Sequence, residues 1–567
     1  MLRRSMQIII PMSGTGERFR RAGYALPKPL IPVDGRPMIA HVIDLFPGAR
    51  EILFVCNRGH LADPRLRLAE IIRQHHPSAR IVGIEAHKLG PVHAVLAAAD
   101  AIDPHRPTIV NYCDFSCVWD YGDFADFVRE SDCDGAIPAY RGFHPHSLGS
   151  TYYAYLRERG LWVDAIQEKM PFTSDPMREF ASSGTYYFRS GELMLGAFRA
   201  AVAHDLNVNG EFYVSLAYQP MLADGARVAV YELQHFLQWG TPEDLKEYEA
   251  WSALFAALAS PRRAAAADGL MLMPMAGAGR RFADAGYHLP KPLVEVSGRP
   301  MVVQAARDLP ASPRARFVLR RDLPGIDSIK STIARELPGA EFETLVALTE
   351  GQAVTCLRGL DGVADDAAVV IGACDNGLVF DAAELEALLG DPAVDVIVFG
   401  ARGHPPAHRT PSSYGWIDAD TAGAVRRVSV KEPLADPRHD PIVVGAFVFK
   451  RAGDFRRAVE RMIAADRRVN GEYYVDESVN LALELGLRVH LFEVQHYVGW
   501  GTPDELRSFE YWQSCFHKLA RHPYSLEKDP RVPADALPAL AERYRATKPP
   551  RPAAPAERGG RARHAVR

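Results

Sequence analysis

One long motif occurs twice in this chain, and a chain made of two copies of one unit is constrained to build two cores. The first copy begins with an apolar run (Ile8, Ile9, Ile10) that opens into Ser13-Gly14-Thr15-Gly16-Glu17-Arg18-Phe19. Leu26-Pro27-Lys28-Pro29-Leu30 and Gly35-Arg36-Pro37-Met38 follow. The second copy reads Leu270-Met271-Leu272-Met273-Pro274, then Ala276-Gly277-Ala278-Gly279-Arg280-Arg281-Phe282, Leu289-Pro290-Lys291-Pro292-Leu293 and Gly298-Arg299-Pro300-Met301, offset throughout by 263. Asn209-Gly210-Glu211-Phe212-Tyr213 and Trp239-Gly240-Thr241-Pro242 return as Asn470-Gly471-Glu472-Tyr473-Tyr474 and Trp500-Gly501-Thr502-Pro503, offset by 261. At 567 residues the chain exceeds what one core serves. The repeat predicts one domain over 1–255, an Ala-rich linker over 256–268, a second domain over 269–520 and a C-terminal extension over 521–567.

Composition narrows the function classes. Apolar residues at 47% and charged ones at 24% are ordinary for a globular chain. A net charge of −4 provides no general field for nucleic acid, so a phosphate ligand would have to be held by local groups. The seven cysteines are scattered without a Cys-x-x-Cys pair, which fits reduced thiols and a cytoplasmic location. No apolar run is long enough for a spanning helix. From Arg545 on, basic residues with Pro and Ala predict a disordered tail.

Apolar runs bounded by Pro and Gly predict strands at 8–10, 51–56, 80–85 and 108–111, and helical spacing predicts helices at 66–72 and 92–99 between them. Pro37 suits the first turn of a further helix. This alternation predicts an α/β fold: two tandem Rossmann-like domains, each a mostly parallel sheet with helices on both faces. Strand pairs at 151–157, 161–168 and 184–188 predict an antiparallel substrate or lid region. Ligands of such sheets sit at the carboxyl ends of the strands, where the glycine loop and Asp114 both fall.

A Gly-x-Gly turn between strand and helix lets backbone N–H groups converge on phosphate oxygens. Gly14-Thr15-Gly16 has neither the third glycine of a dinucleotide fingerprint nor the Gly-Lys-Ser/Thr of a P-loop. Arg18 and Lys28 add a planar fork and a point charge, the latter on an arm stiffened by prolines, and so suit charge neutralisation in phosphoryl or nucleotidyl transfer. Trp239 and Trp500 read as packing residues, and His235 and His496 as structural histidines.

On these residues both halves resemble the sugar-1-phosphate nucleotidyltransferase family, which opens with Gly-x-Gly-x-Arg followed by Pro-Lys-Pro-Leu. The resemblance implies a Rossmann-like, GT-A-like fold and Mg²⁺-dependent transfer of a nucleotidyl group from a nucleoside triphosphate to a sugar 1-phosphate. It implies catalytic roles for Arg18 and Arg281 on the departing pyrophosphate and for Lys28 and Lys291 at the α-phosphate. It also implies nucleotide binding by Ser13, Gly14, Thr15, Gly16 and Gly90, with Ala276, Gly277, Ala278, Gly279 and Gly351 in the second half. Metal binding falls to Asp114 and Asp375, and substrate binding to Glu168, Lys169 and Lys431, with Glu211 and Glu472 as further candidates for sugar hydroxyls.

Two departures stand out. Val430 replaces the glutamate before Lys431, and Gln238 and Gly499 stand where many members carry a second metal aspartate. The expected partners are thus a nucleoside triphosphate and a phosphorylated sugar or alcohol, with polysaccharide biosynthesis as the setting. Two alternatives stay open: a cytidylyltransferase for phosphocholine or a similar phosphate, and one half serving as a non-catalytic nucleotide-binding or regulatory module.

Overall fold

The computed structural model describes residues 6–149, 153–277 and 279–552. Ala278 and residues 553–567, including most of the expected basic tail, lie outside the described residues. The chain forms two compact units, one of residues up to Glu249 together with those from Ala546 on, the other of Ala250–Arg545. The division falls inside the helix Pro242–Leu258, upstream of the Ala-rich stretch.

In the first unit the apolar run forms the strand Gln7–Met12, between the parallel strands Ile52–Asn57 and Thr108–Asn111; Arg80–Ile84 extends the parallel half. Successive strand residues point to opposite faces. Ile9 and Val110 accordingly enter one core cluster, and Ile8, Ile10 and Ile109 the other. With both faces covered, the strand has no solvent side, so its sequence runs apolar without alternation. Beyond Thr108–Asn111 the sheet turns mixed. Thr185–Phe188 runs antiparallel to it and to Gly135–Tyr140, which lies parallel to Val228–Glu232. The hairpin Ala154–Arg159 with Trp162–Glu168, joined by Phe180–Ser182, completes a ten-stranded sheet. Pro37 precedes its helix, Met38–Asp44, as the cap.

The second unit repeats the plan. Leu270–Pro274 lies between the parallel strands Arg314–Arg320 and Val369–Gly372. Ile442–Phe449 then runs antiparallel to Val369–Gly372 and to Val396–Ala401. The C-terminal extension contributes the helix Leu537–Tyr544, packed through Leu540 and Tyr544 onto Leu526. The first residues of the basic stretch are held on the first unit. Arg551 Nη1 and Nη2 donate to both oxygens of Asp123, at 3.0 and 2.9 Å, and Thr547 Oγ1 accepts from Gln234 Nε2 at 2.8 Å. The Arg551 guanidinium holds the Asp123 carboxyl below its usual range. Among the described residues no helix is long and apolar enough to cross a membrane.

Candidate active site

The glycine loop ends at Gly16 with φ 61°, capping the short helix Glu17–Arg21. Lys28 packs behind this loop, since a Cβ at Gly16 would lie 3.6 Å from the Lys28 backbone nitrogen. The flanking prolines close Lys28–Leu30 into a single 3₁₀ turn, with Leu30 N donating to Pro27 O at 2.8 Å. That turn directs Lys28 Nζ to Asp114 Oδ2 at 2.6 Å and to the Gly240 carbonyl at 2.8 Å. Asp114 leaves the strand Thr108–Asn111 at its carboxyl end. It is fixed by the pairing of Phe115–Val118 with His235–Gln238 and by Trp239 N donating to its carbonyl at 3.0 Å. Trp239 itself is 1% exposed, so it packs and does not face a ligand.

A cavity of about 780 Å³ opens over this cluster. Its lining includes Ser13, Gly14, Thr15, Gly16, Arg18, Lys28, Gly90, Asp114, Glu168, Lys169 and Glu211, so one cleft gathers every first-half residue expected to bind or catalyse. Gly90 also has a packing reason. At φ 88° its Cβ would lie 2.7 Å from the backbone N and O of Phe212, which docks the Asn-Gly-Glu segment on the cleft wall. Gly351 does the same against Tyr473, at 2.4 Å from its nitrogen.

The second unit builds the same constellation. Lys291 Nζ lies 2.5 Å from Asp375 Oδ2 and 3.2 Å from the Gly501 carbonyl, and Gly279 takes φ 62°. Burial works against the Lys291 charge, but Asp375, Cys374 and Glu505 outweigh it and raise the ammonium above its ordinary value. Gly277 and Arg281 are exposed beside the loop, and buried Ala276 accepts a hydrogen bond from Arg320 Nη1 on its carbonyl at 3.1 Å.

Two carboxylates escaped the sequence reading. Asp244 Oδ2 caps its helix by accepting from Thr241 N (3.1 Å) and Oγ1 (2.7 Å), and it also accepts from Gln238 Nε2 at 3.0 Å. Burial raises its carboxyl above the ordinary range. Glu505 plays the same part in a capping box with Thr502. Both face the lysine–aspartate pair across a glycine. A Cβ on Gly240 would stand 3.8 Å from Asp114 Oδ2 and 3.9 Å from Asp244 Oδ2, and one on Gly501 would stand 3.2 Å from Asp375 Oδ2 and 3.4 Å from Glu505 Oε2. Oxygen donors on either side of a side-chain-free gap suit a hard divalent cation. The signal was in the sequence as Thr-Pro-x-acid, but it reads there only as a helix start.

The substrate end differs between the units in an ordered way. Glu168 Oε2 accepts from Ser215 Oγ at 2.6 Å, and burial pushes its carboxyl up to about 7. Lys169, at φ 60°, donates from Nζ to Tyr213 OH at 2.7 Å, and Tyr213 in turn hydrogen-bonds Glu211. In the second unit Val430 takes the glutamate's place, but a carboxylate returns from the opposite wall. Asp476 occupies the position of Ser215, and its Oδ2 would lie 2.3 Å from a Cβ on Gly415. Gly415 is the register partner of Val430, as Ala154 is of Glu168. The trio Glu168, Ala154, Ser215 has thus become Val430, Gly415, Asp476, with glycine making room. Burial pushes Asp476 up to about 6 against the pull of the Lys431 ammonium. Lys431 sits at φ 64° like Lys169 and is lowered by burial. Glu472 is exposed in the Asn-Gly-Glu turn.

Glu168 gives a pH test. Its folded value of about 7 lies above the ordinary 4.5, so the folded state binds the proton more tightly and stability falls as pH rises between those values. The first unit should lose roughly 3 kcal/mol over that window on this account. Glu168→Gln should flatten the slope when denaturant midpoints are followed from pH 4.5 to 7.5; parallel profiles for variant and parent would show that Glu168 does not titrate there.

A glycine loop, a lysine on a rigid turn and an aspartate at a strand's carboxyl end form, in an α/β domain, a cluster suited to a phosphate ligand. By sequence, residues 8–169 match the family model of the MobA-like NTP transferase domain. The chain is 38% identical to the bifunctional protein GlmU of Burkholderia mallei (strain SAVP1) over 226 residues, 39% of this chain and 46% of that protein. It is 29% identical to the GlmU of Paraburkholderia xenovorans over 239 residues, 42% of this chain and 48% of that protein. The chain therefore spans about half the length of the curated relatives it matches. Among solved structures, a nucleoside-diphosphate-sugar pyrophosphorylase from Vibrio cholerae aligns over 42% of this chain and 98% of its own, with 23% identity and a TM-score of 0.35.

Proposed function

We propose that each unit transfers a nucleotidyl group from a nucleoside triphosphate to a sugar 1-phosphate and releases pyrophosphate. The observation that carries this reading is the twice-built cluster of glycine loop, lysine, aspartate and glycine carbonyl. The acceptor's phosphate oxygen attacks the α-phosphorus, the bond to the pyrophosphate oxygen breaks, and no covalent enzyme intermediate is needed. Positioning and charge neutralisation supply the rate.

Arg18 and Arg281, exposed at the start of the helix after each loop, would grip the leaving pyrophosphate. Asp114 with Asp244, and Asp375 with Glu505, would hold Mg²⁺, which neutralises phosphate charge when bound. Lys28 and Lys291 now stand on those aspartates as counter-ions. The ion pair holds each lysine beside the position from which its ammonium would reach the α-phosphate. Lys169 and Lys431 meet the acceptor phosphate, and Glu168 and Asp476 accept hydrogen bonds from its hydroxyls. A carboxylate in both units supports two active sites over one site and a silent module.

Pyrophosphate release by the full chain, screened over four nucleoside triphosphates and a panel of phosphorylated sugars and alcohols, tests the reading. Release with a sugar 1-phosphate is the expected result. Turnover confined to phosphorylated alcohols would move the assignment to a cytidylyltransferase-like reaction, and no release with any pair would overturn it.

A further inference from the structure

A second cavity, of about 310 Å³, lies in the second unit and is built largely from guanidinium groups: Arg262, Arg299, Arg307 and Arg531 line it, with Asp308 as its carboxylate. Arg263 also reaches it but is engaged by Glu386 through two hydrogen bonds of 2.8 and 2.7 Å. Arg531 is the anomaly. It is 5% exposed, it lines the cavity, and none of its three side-chain nitrogens has a hydrogen-bond partner. Its Nη2 comes within 2.9 Å of Asp308 Oδ2, but without the geometry of a hydrogen bond. Asp308 balances the charge, but buried N–H groups that make no hydrogen bond are costly, so these mark a place where an acceptor belongs.

The surroundings say which acceptor. Arg262 and Arg307 are exposed and Arg299 is half-buried; Arg299 donates from Nε to the Arg531 carbonyl at 3.0 Å and Arg307 from Nη2 to the Glu336 carbonyl at 3.2 Å, which leaves the other nitrogens of each fork. Asp529 lies close by, but it is committed to the Arg531 backbone N–H and to Tyr524 OH, each at 2.9 Å. Four guanidinium groups face a single lining carboxylate, so the cavity suits an anionic ligand. Planar forks converging on one small volume match the oxygens of a phosphate group.

The cavity also depends on residues outside the repeat. Arg531 comes from the C-terminal extension, which the repeat does not contain, and it stacks on Trp500 with 5.2 Å from its guanidinium carbon to the ring centroid. Its entry requires Gly377, where a Cβ would lie 2.7 Å from both Arg531 Nη2 and Asp308 Oδ2. At the matching positions the first half carries Ser116 and Leu45. The Lys291–Asp375 pair is two residues from Gly377, but the cavity shares no lining residue with that cluster.

We propose that this cavity binds a phosphate-bearing small molecule at a site separate from the glycine-loop clusters, with Arg531, Arg299 and Arg262 meeting the phosphate oxygens. The test is isothermal titration of the full chain, in buffer with EDTA, against inorganic phosphate, pyrophosphate, glucose 1-phosphate and citrate. A Lys28→Met/Lys291→Met variant removes the competing clusters. Binding of a phosphate compound should survive in that variant and weaken at least tenfold on adding Arg262→Gln or Arg299→Gln. Arg262 is exposed, so Arg262→Gln should leave the fold intact, whereas Arg299 is half-buried and bonded to the Arg531 carbonyl; circular dichroism checks the fold of each variant, and Arg531→Met should likewise weaken binding. Tighter binding of inorganic phosphate or pyrophosphate would name free phosphate as the source, and tighter binding of glucose 1-phosphate a phosphomonoester. Loss of all binding in the double-lysine variant, or affinities unchanged in both arginine variants, would overturn the proposal. Citrate binding as tightly as every phosphate compound would overturn the phosphate assignment.

Discussion

Asp114→Asn should lower pyrophosphate release by the first unit about 10²- to 10³-fold, while affinity for the triphosphate changes much less. The substitution keeps the shape of the side chain and removes the charge that faces Lys28 at 2.6 Å and would hold the metal. Because the second unit carries its own cluster, the measurement belongs in an Asp375→Asn background, where only the first unit can report. A binding readout separates metal from chemistry. Mn²⁺ counted by electron paramagnetic resonance should fall from two per chain to one in either single variant, and Asp244→Asn should weaken the first unit's ion without abolishing it. Wild-type turnover of Asp114→Asn in that background, or an unchanged Mn²⁺ count, would remove Asp114 from the metal site.

Asp476→Ser should cost the second unit its preference among phosphorylated acceptors. A hydrogen bond from a hydroxyl to a charged carboxylate contributes about 1.5–3 kcal/mol, so discrimination should fall roughly ten- to a hundredfold. Affinity for the triphosphate should stay put, since the glycine loop and Lys291 are untouched. The swap between the units makes a sharper test. Val430→Glu added to Asp476→Ser rebuilds the arrangement of Glu168 and Ser215, and it should restore a carboxylate and shift the acceptor profile toward that of the first unit. Each profile is measured with the other unit silenced, by Asp114→Asn or Asp375→Asn. An acceptor profile indifferent to Asp476→Ser would show that this carboxylate takes no part in recognition. Loss of Glu168's counterpart in the sequence suggested two units differing by presence and absence of a carboxylate; the packing makes the difference one of the wall from which it enters.

The elements that the sequence determined by itself are those written in neighbouring residues. Apolar runs flanked by Pro and Gly place the strands 52–57, 80–84 and 108–111 within a residue or two of the expected spans, because a strand buried on both faces needs a continuous apolar run. Gly16, Lys28 and Asp114 were legible because each depends on local geometry: a left-handed turn, a proline-fixed arm and a strand's end. Their appearance twice in register made the reading firm.

Tertiary structure alone decided the contacts between residues distant in sequence. Nothing local shows that the Gly240 carbonyl holds Lys28, that Asp244 faces Asp114 across Gly240, or that Asp476 fills the space opened at Gly415 opposite Val430. Nor could the extension's composition reveal Arg531 beneath Trp500 beside Gly377. Periodicity and turn chemistry specify which face of an element is buried. Which side chain meets which across that face depends on volumes contributed by separate elements, and those are matched only when the chain has packed.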